Sequence, residues 1–305
     1  MTIESAYAEC ARITSQQARN FSYGIRLLPA PKRRSMCALY AIARRIDDIG
    51  DGDGEAHDKL RSLAGVRKSL ADLRTDPSSA GSDPVLTALA DTADRFPLPM
   101  DALDELIDGC EMDVNGVTYD TFEQLVGYCR RVAGTVGRLS LAVYGKNSVY
   151  GKDTASEENP GSEKNSGGFS ENAESLADAL GVALQITNIL RDIVEDRETM
   201  GRVYLPAEDR QRFDVGPDLQ GPDENLSALI WFEAARARSW YAEGLKLLPM
   251  LDWRSRACTA AMAGIYRRLL DRIVSDPTAV LRGRVSLTPA EKARVAARAL
   301  ARGAA

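Results

Sequence analysis

Apolar residues recur every three or four positions through most of this 305-residue chain, the period of amphipathic helices. The pattern predicts helices over residues 3–20, 32–50, 56–74, 84–95, 101–115, 121–144, 172–198, 225–247, 254–276 and 288–302. The last opens on Thr288, Pro289 and Glu291: an N-cap, a first-turn proline and the acidic partner of a capping box. No run alternates apolar and polar residues between hairpin turns. The expectation is an all-α fold, one domain over residues 1–305 built from antiparallel helices. Two stretches break the period. Residues 74–84, RTDPSSAGSDP, read as a turn-rich connection. Residues 146–174 are polar and rich in Gly, Ser, Asn and Glu, and read as a flexible insert.

Polar residues inside two of the helical patterns are not scattered. In RRIDDIGD (44–51), placed on a helix with the preceding Tyr40, the residues Tyr40, Arg44, Asp47 and Asp51 share a stripe roughly 60° wide, with Asp48 beside it. In NILRDIVEDRETMGRVYLP (188–206), Asn188, Asp192 and Asp196 stand four apart. With Gln185 and Gly181 they occupy a stripe of roughly 80°. Leu39, Ile42, Ile46, Ile186, Ile189, Leu190 and Ile193 fill the apolar remainder, and Arg191 and Arg197 flank the second set.

Carboxylates four apart on an exposed helix repel by a few tenths of a kcal/mol, and burial without partners costs far more. A solvated face is the ordinary reading of one such motif. Two of them, each set in apolar periodicity beside arginine, make sense if cations sit on the stripes. Magnesium takes one or two carboxylates, keeps waters and accepts phosphate oxygens, so two facing stripes would hold metal between protein and a diphosphate.

Composition narrows the chemistry. The net charge is −5, which argues against a nucleic-acid binder held by a basic surface. A single histidine, His57, in an Asp/Gly-rich stretch leaves no room for a multi-histidine zinc site and little for a His-activated nucleophile. Five scattered cysteines without a CxxC pair suit a reduced, cytoplasmic protein with buried thiols. No signal peptide, membrane span or glycine-rich phosphate loop is evident.

The two aspartate motifs resemble those of the squalene/phytoene synthase family, the head-to-head prenyl diphosphate synthases. QARNFSYGIRLLP (17–29), YCRRVAGTVGRLSLAVYG (128–145), AGIYRRLLDRI (263–273) and VLRGRVSL (280–287) resemble further family segments, in order along the chain. RVYLP and LRGRVSL fit best the bacterial presqualene diphosphate synthase branch of hopanoid synthesis. The insert at 146–174 is longer than the family pattern.

The resemblance implies an isoprenoid-synthase-type helical bundle around a central cavity, with Mg2+ as cofactor. Asp47, Asp48 and Asp51 would form one metal site and Asn188, Asp192 and Asp196 the other. Arg44 and Arg191 would bind diphosphate, Tyr40 and Tyr204 would line the reaction centre, and Gln185 would reach the same cleft. Tyr23, Tyr266 and Arg284 are further candidates at the diphosphate end, and Gly134 and Gly137 would allow close approach of substrate or a helix. The implied reaction condenses two farnesyl diphosphates to presqualene diphosphate. Phytoene synthesis from two geranylgeranyl diphosphates is the nearest rival, followed by a single-substrate terpenoid enzyme and a non-catalytic helical protein. Lipid substrates imply peripheral contact with the inner face of a membrane, although no strongly basic amphipathic helix declares it. Oligomeric state is not legible.

Overall fold

A computed structural model describes residues 1–18, 20–145 and 171–303. Fourteen α-helical segments follow one another, with no strand among the described residues. They are α1 (Ile3–Gln17), α2 (Phe21–Ile25), α3 (Ala30–Asp51), α4 (Ala56–Thr75), α5 (Pro84–Arg95), α6 (Asp101–Val114), α7 (Phe122–Cys129), α8 (Thr135–Tyr144), α9 (Glu171–Met200), α10 (Ala207–Arg212), α11 (Asp223–Gly244), α12 (Trp253–Ser275), α13 (Ala279–Arg282) and α14 (Pro289–Gly303). Each of the ten predicted helices is present, and their ends show why. Asp83 caps α5 through Val85 and Leu86, Thr121 and Gln124 form a capping box on α7, and Thr288 with Glu291 forms one on α14.

Three departures matter. The first predicted helix stops at Gln17, and a separate short helix, α2, follows. The helix expected over 121–144 is broken by a π-turn at Arg130–Gly134, a form of backbone common at functional sites. The insert expected at 146–174 lies outside the described residues except for 171–174, which are helical. Glu171 and Glu174 stand in the first turn of α9, where acidic side chains favour the helix N-terminus.

Two apolar clusters form the interior. One joins α1, α3, α4, α5, α6 and α8; the other joins α7, α9, α11 and α12. The long α9 is central, packed by α8, α11, α12 and the π-turn. Glycine permits its closest contacts. A Cβ on Gly181 would stand 2.5 Å from the Ala133 carbonyl oxygen, and one on Gly137 2.5 Å from that of Ala177. Gly137 thus serves helix packing and also lines the central cavity. All five cysteines are free and buried. Among the described residues no helix is long and apolar enough to cross a membrane.

Candidate active site

Where the two clusters meet, α2, α3, the π-turn, α8, α9 and α12 surround a cavity of ≈ 1140 Å³, open mouth included. One end is polar: Tyr40, Arg44 and Asp47 from α3 face Gln185 and Asn188 from α9. The remainder is almost wholly apolar, with Phe21, Ile25, Met36, Leu39, Leu184 and Leu247 among its walls. Of the two stripes expected from sequence, these five residues and Gly181 line one space, whereas Asp51, Asp192 and Asp196 are not part of its wall. From Asp47 back to Met36, α3 runs eleven residues along the cavity, roughly 16 Å.

The electrostatics of the polar end are unbalanced. Burial, and then the neighbouring Asp51, push the Asp47 carboxyl up to about 7. Burial, and then Asp192, push Asp196 up to about 8. Burial raises the Tyr40 phenol to about 12. Two buried polar atoms here have no hydrogen-bond partner among the described residues: Arg44 Nε, a donor, and Asn188 Oδ1, an acceptor. An orphaned guanidinium N–H calls for an anion, and an orphaned amide oxygen beside carboxylates calls for a cation.

The other expected ligands are engaged by arginine. Arg44 pairs with Asp48, which is outside the cavity wall. Arg191 Nε donates to Asp192 Oδ1 at 2.7 Å, and Arg284 Nε approaches the same oxygen at 3.0 Å. Arg202 Nη1 donates to Asp51 Oδ1 at 2.8 Å. Among the described residues no three Asp, Glu, His or Cys side chains converge closely enough to hold a metal by themselves. The donor set still fits magnesium, which needs only one or two carboxylates when phosphate oxygens and waters complete its shell.

Tyr266 on α12 lies beside Arg191, and its ring is tilted against that of Phe21, centroids 5.7 Å apart. Tyr23 is a different matter. Two residues after Phe21 on α2, it faces away from the cavity wall and packs toward Ala261, Ala296 and Ala299. Tyr204 is also absent from that wall. Its hydroxyl donates to Asp113 Oδ1 at 2.8 Å, while Tyr128 donates to Asp113 Oδ2 at 2.9 Å. The Tyr128 and Tyr204 rings stack at 5.2 Å, with Tyr119 beside both. Burial, opposed by Arg202 and the two phenols, leaves Asp113 raised to about 6. His57 is exposed on α4 and does not line the cavity.

Sequence reading missed Arg202, Asp113 and Phe21. Arg202 sits in the quoted RVYLP segment, but its reach depends on Gly201, whose φ of +64° turns the chain back over the end of α9. Asp113, near the end of α6, has no distinguishing local pattern.

Comparison with known proteins agrees with this geometry. The Squalene/phytoene synthase family profile matches residues 14–291. A phytoene synthase of Mycobacterium tuberculosis is 46% identical, covering 98% of this chain and 92% of the relative. A 15-cis-phytoene synthase of Synechocystis is 35% identical, covering 90% of this chain and 78% of the relative. A dehydrosqualene synthase crystallised with a ligand superposes with a TM-score of 0.80 at 26% identity, over 98% and 97% of the two chains. Squalene synthase HpnC of Alicyclobacillus acidocaldarius gives 0.74 at 26% identity, over 89% and 94%.

Proposed function

This chain belongs to the squalene/phytoene synthase family, and from that premise we propose that it condenses two geranylgeranyl diphosphates head to head to phytoene. The prenyltransferase class rests on the fold and family; the substrate is the finer step. The observation that carries the chemistry is the pair of orphaned atoms, Arg44 Nε and Asn188 Oδ1, at the polar end of an otherwise apolar cavity. A diphosphate with its counter-cation would satisfy both, and a prenyl tail suits the rest. The preference for geranylgeranyl over the farnesyl reading draws on the 46% identity to a protein named phytoene synthase. The hopanoid branch favoured by the RVYLP and LRGRVSL segments is the less supported of the two. It retains the similarity to solved squalene and dehydrosqualene synthases.

In the proposed reaction the C–O bond of one substrate breaks and its electron pair leaves with the diphosphate. The remaining allylic cation is attacked by the double bond of the second substrate, and loss of a proton closes a cyclopropane. A second ionisation, rearrangement and proton loss give the hydrocarbon. Two diphosphates and two protons depart, so no reductant is needed. When bound, Mg2+ would neutralise diphosphate charge, held by Asp47, Asp51, Asn188, Asp192 and Asp196, with Asp48 adjacent. Arg44, Arg191, Arg202 and Arg284 would exchange carboxylate partners for diphosphate oxygens, a geometry suited to guanidinium. Tyr40, with Phe21 at 6.5 Å, would present ring faces to cationic carbon. Gln185 would orient the diphosphate end and Tyr266 would hold Arg191. Tyr204 would act through Asp113. The apolar walls exclude water that would quench the cation. We read the whole chain as one synthase domain.

The test is product analysis by mass spectrometry, with Mg2+ and either prenyl diphosphate and without NADPH. Phytoene from geranylgeranyl diphosphate supports the proposal. A cyclopropyl presqualene diphosphate from farnesyl diphosphate, with no phytoene, overturns the substrate choice. No product from either overturns the function.

A further inference from the structure

Arg294, Arg298 and Arg302 stand four residues apart on α14, each exposed and without an ion-pair partner among the described residues. At 100° per residue they share a stripe roughly 80° wide. Beside them the outward surface is alanine: Ala290, Ala293, Ala297 and Ala301 are all exposed. The helix's one acidic residue, Glu291, is already committed, accepting from Arg272 Nη2 at 2.6 Å and from the Thr288 N–H at 2.8 Å. At its C-terminal end the stripe meets the start of α12. A Cβ on Gly303 would stand 2.9 Å from the Trp253 carbonyl oxygen. Trp253 is 44% exposed there, with the Arg254 guanidinium 4.2 Å from its ring centre.

We propose that this face of α14, with Trp253 at its edge, docks the protein on an anionic lipid surface. The charge pattern carries the proposal; only the lipid nature of the substrate is borrowed from the function proposed above. Near a bilayer, unpaired arginines are attracted to anionic headgroups. The short outer alanines let the helix approach closely, and an exposed tryptophan suits the headgroup level. An extended nucleic acid fits less well, because the protein as a whole carries −5 and a wrapping polyanion would meet that charge. A planar surface touches one face, and salt screens the remainder beyond about 10 Å.

Position adds a reason. The inner side of α14 packs on α12 and touches α2. Those same two helices give Phe21, Ile25, Thr259 and Met262 to the cavity wall. Docking through α14 therefore brings the bilayer to within one helix layer of the space proposed for prenyl tails. The inward side of α14 is spent on packing, so the contact is electrostatic docking and not insertion of an amphipathic helix.

Vesicle flotation of the full chain tests this. Vesicles of phosphatidylcholine with about one-third phosphatidylglycerol should carry the protein and pure phosphatidylcholine should not, with binding falling as salt rises. Each near-surface arginine is worth roughly fivefold in partitioning, so R294Q/R298Q/R302Q should bind about 100-fold more weakly. W253A should lose several-fold. Turnover of detergent-dispersed substrate should be unchanged in the triple variant, whose residues are outside the cavity. Equal binding of wild type and triple variant, equal binding to neutral vesicles, or tighter binding to a single-stranded oligonucleotide than to anionic vesicles overturns the proposal. If wild type turns over no prenyl diphosphate, the function fails while the flotation result stands by itself.

Discussion

Arg202 ties Asp51 to the far end of α9 across 151 residues of sequence, Nη1 to Oδ1 at 2.8 Å, with its second nitrogen on the Gly50 carbonyl at 3.1 Å. Its own N–H returns to the Asp196 carbonyl at 2.9 Å. Arg202 thus links the ends of the two acidic stripes, and its charge lowers the cost of charge on both Asp113 and Asp196.

Removing it should unbalance the cluster. R202A is expected to reduce kcat/KM by about 10²-fold or more, the scale of losing one placed charge-stabilising donor. R202K should recover part of it, since lysine restores charge without the two-pronged geometry. Steady-state kinetics on both variants, with thermal unfolding as the fold control, decide this. Activity of R202A within tenfold of wild type would leave the arginine a structural clamp alone.

The raised Asp47 carboxyl predicts a pH-dependent difference between wild type and D47N. Its folded value is about 7 against an ordinary 3.8, so between about pH 4 and pH 7 the unfolded chain gives up this proton while the folded chain keeps it. Ionisation therefore opposes folding, and the penalty grows through that window and levels off above it. Without metal, D47N should unfold at a higher temperature than wild type at pH 8, with the gap closing at pH 4. Added Mg2+ and inorganic diphosphate should raise the wild-type midpoint and not that of D47N. A gap independent of pH would mean that Asp47 carries no such penalty.

Tyr204 and Asp113 should prove coupled. Asp113 accepts a phenol on each oxygen, so D113N replaces one acceptor by a donor and strands one hydroxyl, at about 1–3 kcal/mol. Y204F alone removes one hydrogen bond. The double variant should cost less than the sum of the singles, by more than about 0.5 kcal/mol. Denaturant unfolding of the four proteins measures this, and simple additivity would show that the contact carries no energy.

These residues also show what the sequence could and could not convey. The helices were legible because burial imposes their period and caps mark their ends, as with Thr288 and Glu291. The two stripes were legible because one helix turn relates their members locally. That the stripes face each other follows from the need for cations between them; Tyr40, Arg44, Asp47, Gln185 and Asn188 do line one cavity, while Asp51, Asp192 and Asp196 lie outside its wall. Arg202 and Asp113 were not legible, since their partners lie on other helices and only packing brings them together. Tyr23 was placed by motif alone, and the direction of a short helix sent its ring toward α14. For substrate length, RVYLP and LRGRVSL point to farnesyl diphosphate, whereas the 46% identity to a protein named phytoene synthase favours the geranylgeranyl reading.

Asp192 offers the sharpest contrast with Asp47. On sequence alone both are members of repelling acidic rows, and removing Asp192 should leave the fold intact. The structure separates them. Asp192 holds Arg191, whose side chain is 10% exposed, and Arg284, whose side chain is 47% exposed. D192N would leave a largely buried guanidinium short of its counter-charge, a loss of about 1–3 kcal/mol once the exposure of Arg284 is discounted. D192N should therefore lower the thermal midpoint at pH 8 while D47N raises it, although both should abolish turnover in the proposed reaction. Loss of turnover with opposite stability changes is what two ligands of one metal–diphosphate site would give when one is paired with arginine and the other is not. A rise in stability in both variants would mean that the Arg191–Asp192 pair contributes nothing to the fold.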